Sequence, residues 1–303
     1  MVDRLMRRIL LFQSNLAIVI SLLVALLTLG MDSHLNSAML LVALSLVVLL
    51  GVPHGSLDVL FARQTYQLVH VKKWIKFLGL YMVSSLLIIA LWNLVPGPFF
   101  VIFLMLSAIH FSDDINLSGH QLLKLSYGFA IISLPSLING EELTNLYGMI
   151  VDAELAQQIV LISKYVSLLL LPLLLMLFYI NKVNLRNQLE ISSISILFLL
   201  ATPILAFTIY FCFMHSARHL VRSHFFLDSF KRQHFIYALI VPTIAVIMMG
   251  VSVWYWKLSP SFEKDLIQII FVGLAALTVP HAWVLNKAKF SEWATSNYKK
   301  SIF

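Results

Sequence analysis

The sequence predicts an all-α fold, a polytopic integral membrane bundle of about 8–10 transmembrane helices. Hydrophobic residues make up 60% and charged residues 12% of the 303 positions, whereas a soluble domain carries about 25% charge. Mean hydropathy is +0.91. Apolar runs of about 20 residues recur along the whole chain, and this is the length that a helix needs to cross a bilayer. We therefore expect one transmembrane domain over residues 1–303.

The individual spans follow from the positions of these runs. The stretch at 189–224 is too long for one span and short for two, but Thr202 followed by Pro203 is typical of a helix start. We therefore favour two short helices there over one kinked helix, which gives ten segments in total. The other eight runs lie at approximately 8–30, 36–53, 74–95, 98–113, 121–138, 157–181, 235–256 and 266–287.

Basic residues indicate the orientation, because cytoplasmic loops are rich in Lys and Arg. Arg4, Arg7 and Arg8 precede the first span, while the loop at 139–156 holds four acidic residues and no Lys or Arg. If 189–224 crosses twice, the remaining basic loops also fall on the cytoplasmic side. We therefore expect both termini in the cytoplasm and the protein in the cell (inner) membrane. The net charge of +7 then belongs to these loops, and we expect no nucleic-acid partner.

Five histidines fall at a similar depth, near the cytoplasmic ends of their spans. Titratable side chains inside a bilayer are costly and mark functional sites. His215 and His219 are four residues apart and share one helix face. With His54 and His110 they offer four imidazoles, which suit Fe, Zn, Cu and Ni. The sequence therefore predicts a metal site, and we expect His281 to lie beside these ligands rather than to bind the metal.

Several polar and aromatic residues accompany the histidines. Asp58 and Asp114 each follow a histidine by four residues and are placed to hold an imidazole N–H or to pair with Arg218 or Arg222. The lone cysteine, Cys212, excludes a cysteine-based metal site. Aromatic residues in spans more often pack in the core than line a pocket. The candidates for a pocket wall beside the histidines are Phe103, Phe111, Tyr210, Phe211 and Trp283.

Four motifs, GVPHGSLD, HFSDD, HSARH and VPHAW, occur in this order. They resemble the Brp/Blh family of bacterial and archaeal membrane proteins, the β-carotene 15,15′-dioxygenases, over about residues 48–285. The resemblance implies Fe(2+) held by His54, His110, His215 and His219. It implies that O2 cleaves β-carotene, taken from the lipid bilayer, into two molecules of all-trans-retinal for a retinal-binding opsin. Because the histidines lie near helix ends, we expect the polyene to lie tilted or flat.

Three other functions compete with this interpretation. A membrane transporter or channel for metal ions or protons would use intramembrane histidines, but it needs polar residues through both leaflets. A diiron desaturase or hydroxylase needs several histidine boxes, and this chain has one HxxxH and no HxxHH. A haem protein with two histidine ligands is the third. A visible spectrum identifies haem, and the ratio of iron to protein, one-to-one or two-to-one, separates a mononuclear from a diiron enzyme.

Overall fold

A computed structural model describes residues 2–29, 37–117, 119–227, 229–256 and 261–290. The C-terminal segment 291–303, which we expect in the cytoplasm, lies outside the described residues. The described chain is built from helices, without a strand. These are α1 (Val2–Thr28), α2 (Ser37–Tyr66), α3 (Val71–Leu94), α4 (Pro96–Asp114), α5 (Gln121–Ile138), α6 (Gly140–Gly148), α7 (Ala153–Ile180), α8 (Leu185–Leu200), α9 (Pro203–Phe226), α10 (Arg232–Trp256) and α11 (Phe262–Lys287).

Nine of these helices are long and apolar enough to cross a membrane, counting only the part of the chain that the structure describes. They agree with the spans predicted from the apolar runs. The two that remain are α6, with 9 residues, and α8, with 16 residues. The structure therefore confirms the all-α polytopic bundle.

The stretch at 189–224 forms a helical hairpin. α8 ends at Leu200 and α9 begins at Pro203, as the Thr-Pro pair predicts. Glu190 in α8 meets Arg218 in α9 across the hairpin, with 3.1 Å between Oε2 and Nη1. Glu190 lies before the turn between Leu200 and Pro203 and Arg218 lies after it, at comparable numbers of residues from the turn. The helices are therefore antiparallel, and the chain enters and leaves the hairpin on the same side.

Helix packing surrounds an interior formed mainly by α2, α4, α9 and α11. α1 packs against both arms of the α8–α9 hairpin, and α5 packs between α4 and α7. α3 and α10 both pack on α11, and most of their apolar side chains are exposed. Only Phe77 of α3 and Ala238 and Thr243 of α10 are buried. An exposed apolar helix surface of this kind is suited to contact with lipid.

Two helices are interrupted by π-helical segments, Val47–Gly51 in α2 and Tyr210–Ser216 in α9. The first precedes Pro53, which has no backbone N–H to donate, and Val52 N–H instead bonds the Val47 carbonyl at 3.2 Å. The two segments contact each other. Single π-helical turns within α-helices are frequent at functional sites, and these two lie next to or include predicted histidines, His54 and His215.

Candidate metal centre

His54 is fixed where α2 passes closest to α9. Its Nδ1–H donates to the Gly51 carbonyl at 2.5 Å, within the widened turn. Gly51 is required for this approach, because a Cβ at that position would lie 2.2 Å from the Phe211 ring. The absence of a side chain there lets the two π-helical segments meet and places His54 against α9.

Two histidines of α9 face His54. The His215 ring centroid lies 5.0 Å from that of His54, and the His219 centroid lies 5.1 Å from it. Both α9 histidines are buried, with 1% and 0% exposure. The HxxxH pair therefore contacts a third imidazole from another helix, an arrangement that sequence spacing alone does not specify.

His110 comes from the end of α4, and tight packing on α5 positions it. A Cβ on Gly128 would lie 2.0 Å from the Ala108 carbonyl oxygen, so only glycine allows α5 to pack this closely. The His110 ring lies 4.9 Å from the His215 ring and 5.6 Å from the His281 ring. His110 is half-buried, whereas the other four histidines are buried.

His281 in α11 is anchored by a carboxylate of a different helix. Its Nδ1–H donates to Asp58 Oδ1 at 2.7 Å, and the Tyr81 hydroxyl donates to Asp58 Oδ2 at 2.8 Å. The ring centroid of His281 lies 5.2 Å from that of His54 and 5.3 Å from that of His219. Asp58 thereby fixes the ring orientation and keeps the proton on Nδ1.

A second Tyr–Asp–His arrangement holds His215. Its Nδ1–H donates to the Asp114 carboxylate at 2.9 and 3.1 Å, and the Tyr210 hydroxyl donates to Asp114 Oδ2. Arg218 donates to the Asp114 backbone carbonyl, while its charge is paired with Glu190. Asp114, which the sequence offered as a partner for an imidazole, therefore orients His215, and Arg218 supports the end of α4 that carries this acid.

The five histidines form one cluster, in which neighbouring ring centroids lie 4.9–5.6 Å apart. Nε2 of His215 and Nε2 of His281 are buried and have no hydrogen-bond partner among the described residues. Leaving buried polar nitrogens without a partner is costly, and a bound metal ion would give both of them a partner. Ligand atoms of His54, His110 and His281 lie within 4.8 Å of one another. The donor set suits Fe, Zn, Cu or Ni, so the residues present fit a metal ion.

An apolar cavity of about 450 Å³ adjoins this cluster. Four of the histidines, His54, His110, His215 and His281, line it, while His219 lies behind them against Phe61 and Phe290. The rest of the wall is almost entirely aliphatic and aromatic, with side chains from α2–α6 and α8–α11. A metal held by these histidines would therefore face a water-poor, hydrocarbon-like space.

The aromatic residues predicted near the histidines occupy three kinds of position. Phe103, Phe111 and Phe211 line the cavity, and Tyr210 bonds Asp114. Trp283 is not in the cavity wall: its side chain is 43% exposed and stacks on Tyr66 with 5.9 Å between ring centroids.

Two residues that hold side chains of the site in place, Tyr81 and Glu190, were not among the predicted site residues. Tyr81 holds Asp58, and Glu190 holds Arg218 and accepts a hydrogen bond from the Ser14 hydroxyl. Glu190 does carry a sequence signal. It directly precedes the apolar segment ISSISILFLL, and an acid at such a position is unusual. Tyr81 carries none, since an aromatic residue in a span is ordinary.

Comparison with known proteins points to one family. A sequence model described as beta-carotene 15,15′-dioxygenase matches residues 45–289, which include all five histidines. A relative from uncultured marine bacterium 66A03, described as beta-carotene 15,15′-dioxygenase, is 28% identical over 267 residues, 80% of this chain and 92% of the relative. No solved structure gives a significant match. The chain therefore belongs to the β-carotene 15,15′-dioxygenase family.

Proposed function

We propose that this protein is an iron(II)-dependent dioxygenase that cleaves β-carotene at its central 15,15′ double bond. In this reaction one C=C bond is broken and each carbon receives one oxygen atom from O2. The products are two molecules of all-trans-retinal, and no external reductant is consumed. The observation that supports this most directly is the histidine cluster at the wall of an apolar cavity, in a chain that belongs to this family.

We propose His54, His110, His215 and His219 as the ligands of the iron, with His281 beside them or among them. Bound iron(II) would supply the redox-active centre that O2 requires. Asp58 and Asp114 hold protons on Nδ1 of His281 and His215, so that Nε2 of each ring carries a lone pair. The two carboxylates also place negative charge next to a site for a dipositive ion, and buried charges need such compensation.

The cavity supplies binding and orientation. β-Carotene has no polar group to recognise, so its position depends on shape and on the burial of hydrocarbon, worth about 25 cal/mol per Å² of apolar surface. The apolar wall excludes water from the reacting bond and presents one double bond to the histidines. We assign no general base, because no proton is removed from the substrate in this reaction.

The cellular setting follows from the proposed reaction. The substrate dissolves in the bilayer and the product is a retinal aldehyde, so we propose a multi-pass protein of the cell (inner) membrane that supplies retinal to an opsin. Residues 1–303 would act as a single catalytic domain, with both termini in the cytoplasm.

The proposal is tested with purified protein in nanodiscs, loaded with Fe(II) and given β-carotene under air. Retinal should be the sole aldehyde, and its carbonyl should carry label from 18O2. The His54→Ala variant should lose both bound iron and activity, whereas His224→Ala, which changes an exposed histidine at the end of α9, should retain both. Absence of O2 uptake, or long apocarotenals as the main product, would refute the assignment.

A further inference from the structure

The cavity extends away from the histidines along two helices. α4 lines it from His110 to Phe100, and α11 lines it from His281 to Ile267. At 1.5 Å of rise per residue these ten and fourteen residues correspond to about 15 and 21 Å. We call this part of the cavity the buried arm. Its far end therefore lies about 15–21 Å from the histidine cluster.

The far end of the buried arm is closed by packed side chains. Phe100 is 1% exposed, and its ring meets that of Tyr147 edge to face, with 4.8 Å between centroids. Leu143 and Ile150, both buried, and the partly buried Leu146 complete the end wall. A long molecule entering from the histidine side therefore stops at these residues.

Along α3 and α10 the cavity has a different boundary. Exposed side chains line it there: Leu78, Met82, Leu86 and Ile89 of α3, at 46%, 58%, 59% and 37% exposure, and Met249 of α10, at 54%. These side chains form what we call the lateral opening, between α3 and α10. Tyr81, on the same part of α3, bonds Asp58, the partner of His281. The lateral opening therefore reaches the depth of the histidines.

We propose, on the basis of the proposed function, that the buried arm measures half of the substrate and so selects the central double bond. The polyene is roughly 30 Å long, about the thickness of the hydrocarbon core, so one half is about 15 Å long and matches the depth of the arm. The whole molecule does not fit between the histidines and the end wall. The other half leaves through the lateral opening into the lipid.

This geometry explains how a metal site near the ends of the helices can cut a molecule at its middle. One ring rests against Phe100 and Tyr147, the central bond lies at the histidines, and the second ring stays near the surface of α3 and α10. The substrate is symmetric, so either half can enter the arm. The end wall, rather than a contact with the reacting bond, then decides where cleavage occurs.

Changes at the end wall test the proposal directly. Phe100→Leu should deepen the arm and Leu146→Phe should shorten it. In either variant the central bond no longer stops at the histidines, so two unequal aldehydes should form, one longer and one shorter than retinal. Phe99→Leu is the matched control: it makes the same change in a buried residue of the same helix that does not line the cavity. Its product should remain retinal alone.

A second pair of variants tests the lateral opening. Met82→Trp should obstruct it and lower kcat/KM, by up to about a hundredfold, the loss that a misplacement of about 1 Å can cause. It should also reduce the β-carotene that metal-free protein retains, while bound iron stays unchanged. Val83→Trp adds the same bulk to an exposed position of α3 that does not line the cavity and should change neither quantity.

The outcomes separate this inference from the proposed function. If the unaltered protein makes no retinal, the proposed function is wrong. If it makes retinal while Phe100→Leu and Leu146→Phe, both folded and iron-loaded, still give retinal as the sole aldehyde, the buried arm does not set the cleavage position. Equal retention of β-carotene by Met82→Trp and Val83→Trp would contradict entry between α3 and α10.

Discussion

The role of Asp114 leads to a quantitative prediction. Its carboxylate accepts hydrogen bonds from His215 Nδ1–H at 2.9 and 3.1 Å and from the Tyr210 hydroxyl, and it is fully buried. In Asp114→Asn one side-chain oxygen becomes an NH2 group, which cannot accept a hydrogen bond. Either His215 Nδ1–H or the Tyr210 hydroxyl then faces the new NH2 group, and the site also loses a negative charge.

We expect this substitution to weaken iron binding by about 10- to 100-fold, the range measured when a group that orients a metal-bound histidine is altered. This corresponds to about 1.4–2.7 kcal/mol of binding free energy. The upper part of the range is expected here, because both donors are buried and water cannot replace the lost acceptor. Tyr210→Phe removes one donor and leaves the carboxylate on His215, so its effect should be smaller.

Asp113→Asn is the matched control, because Asp113 is the neighbouring residue but its side chain is 57% exposed and pairs with Lys124. Iron affinity is measured by titration against a competing chelator, with metal-free protein and with thermal unfolding as a check on folding. The expected order of affinity is unaltered protein, then Asp113→Asn close to it, then Asp114→Asn well below. Equal affinities for the two asparagine variants would show that Asp114 does not orient a ligand.

Three further predictions concern other parts of the molecule. His281→Ala should lower bound iron, measured by metal analysis; full occupancy would place His281 outside the coordination sphere. Breaking the hairpin ion pair by Glu190→Leu should lower the free energy of unfolding by about 3–5 kcal/mol, since the buried Arg218 loses the carboxylate of Glu190; unchanged thermal stability would contradict this. Burial raises the pKa of Glu142 to about 7, above its usual 4.5, so the free energy of unfolding falls as pH rises from about 4.5 to about 7 and stays low above that. Glu142→Gln should therefore raise Tm relative to Glu141→Gln at pH about 8.5 but not at about 4; an equal difference at both pH values would refute the assignment.

The sequence predicted the bundle well, because span length and loop charge follow directly from the properties of the bilayer. The break at Thr202 and Pro203 was also recognisable, since proline at the start of a helix is a local signal. Both arguments depend on residues close together in the chain. They needed no knowledge of which helices become neighbours.

The details of the site depended on contacts that local spacing does not encode. Asp58 and Asp114 were identified as candidate partners of an imidazole, but helical spacing gave no basis for assigning them to His281 and His215. The π-helical segments at Val47–Gly51 and Tyr210–Ser216 change the number of residues per turn. Periodicity arguments based on 3.6 residues per turn therefore lose accuracy at the positions that matter most for the site.

In both Asp–His pairs the carboxylate and the imidazole come from different helices, and this affects how the site forms. Asp58 of α2 holds His281 of α11, and Asp114 of α4 holds His215 of α9. Each helix that supplies a carboxylate also carries a histidine of its own, His54 in α2 and His110 in α4. A correctly oriented donor set therefore requires α2 to dock on α11 and α4 to dock on α9, and no single helix contains a complete site. Metal binding and helix docking would then be coupled, so iron that binds only the assembled bundle should stabilise it by an amount that grows with the logarithm of the iron concentration above Kd.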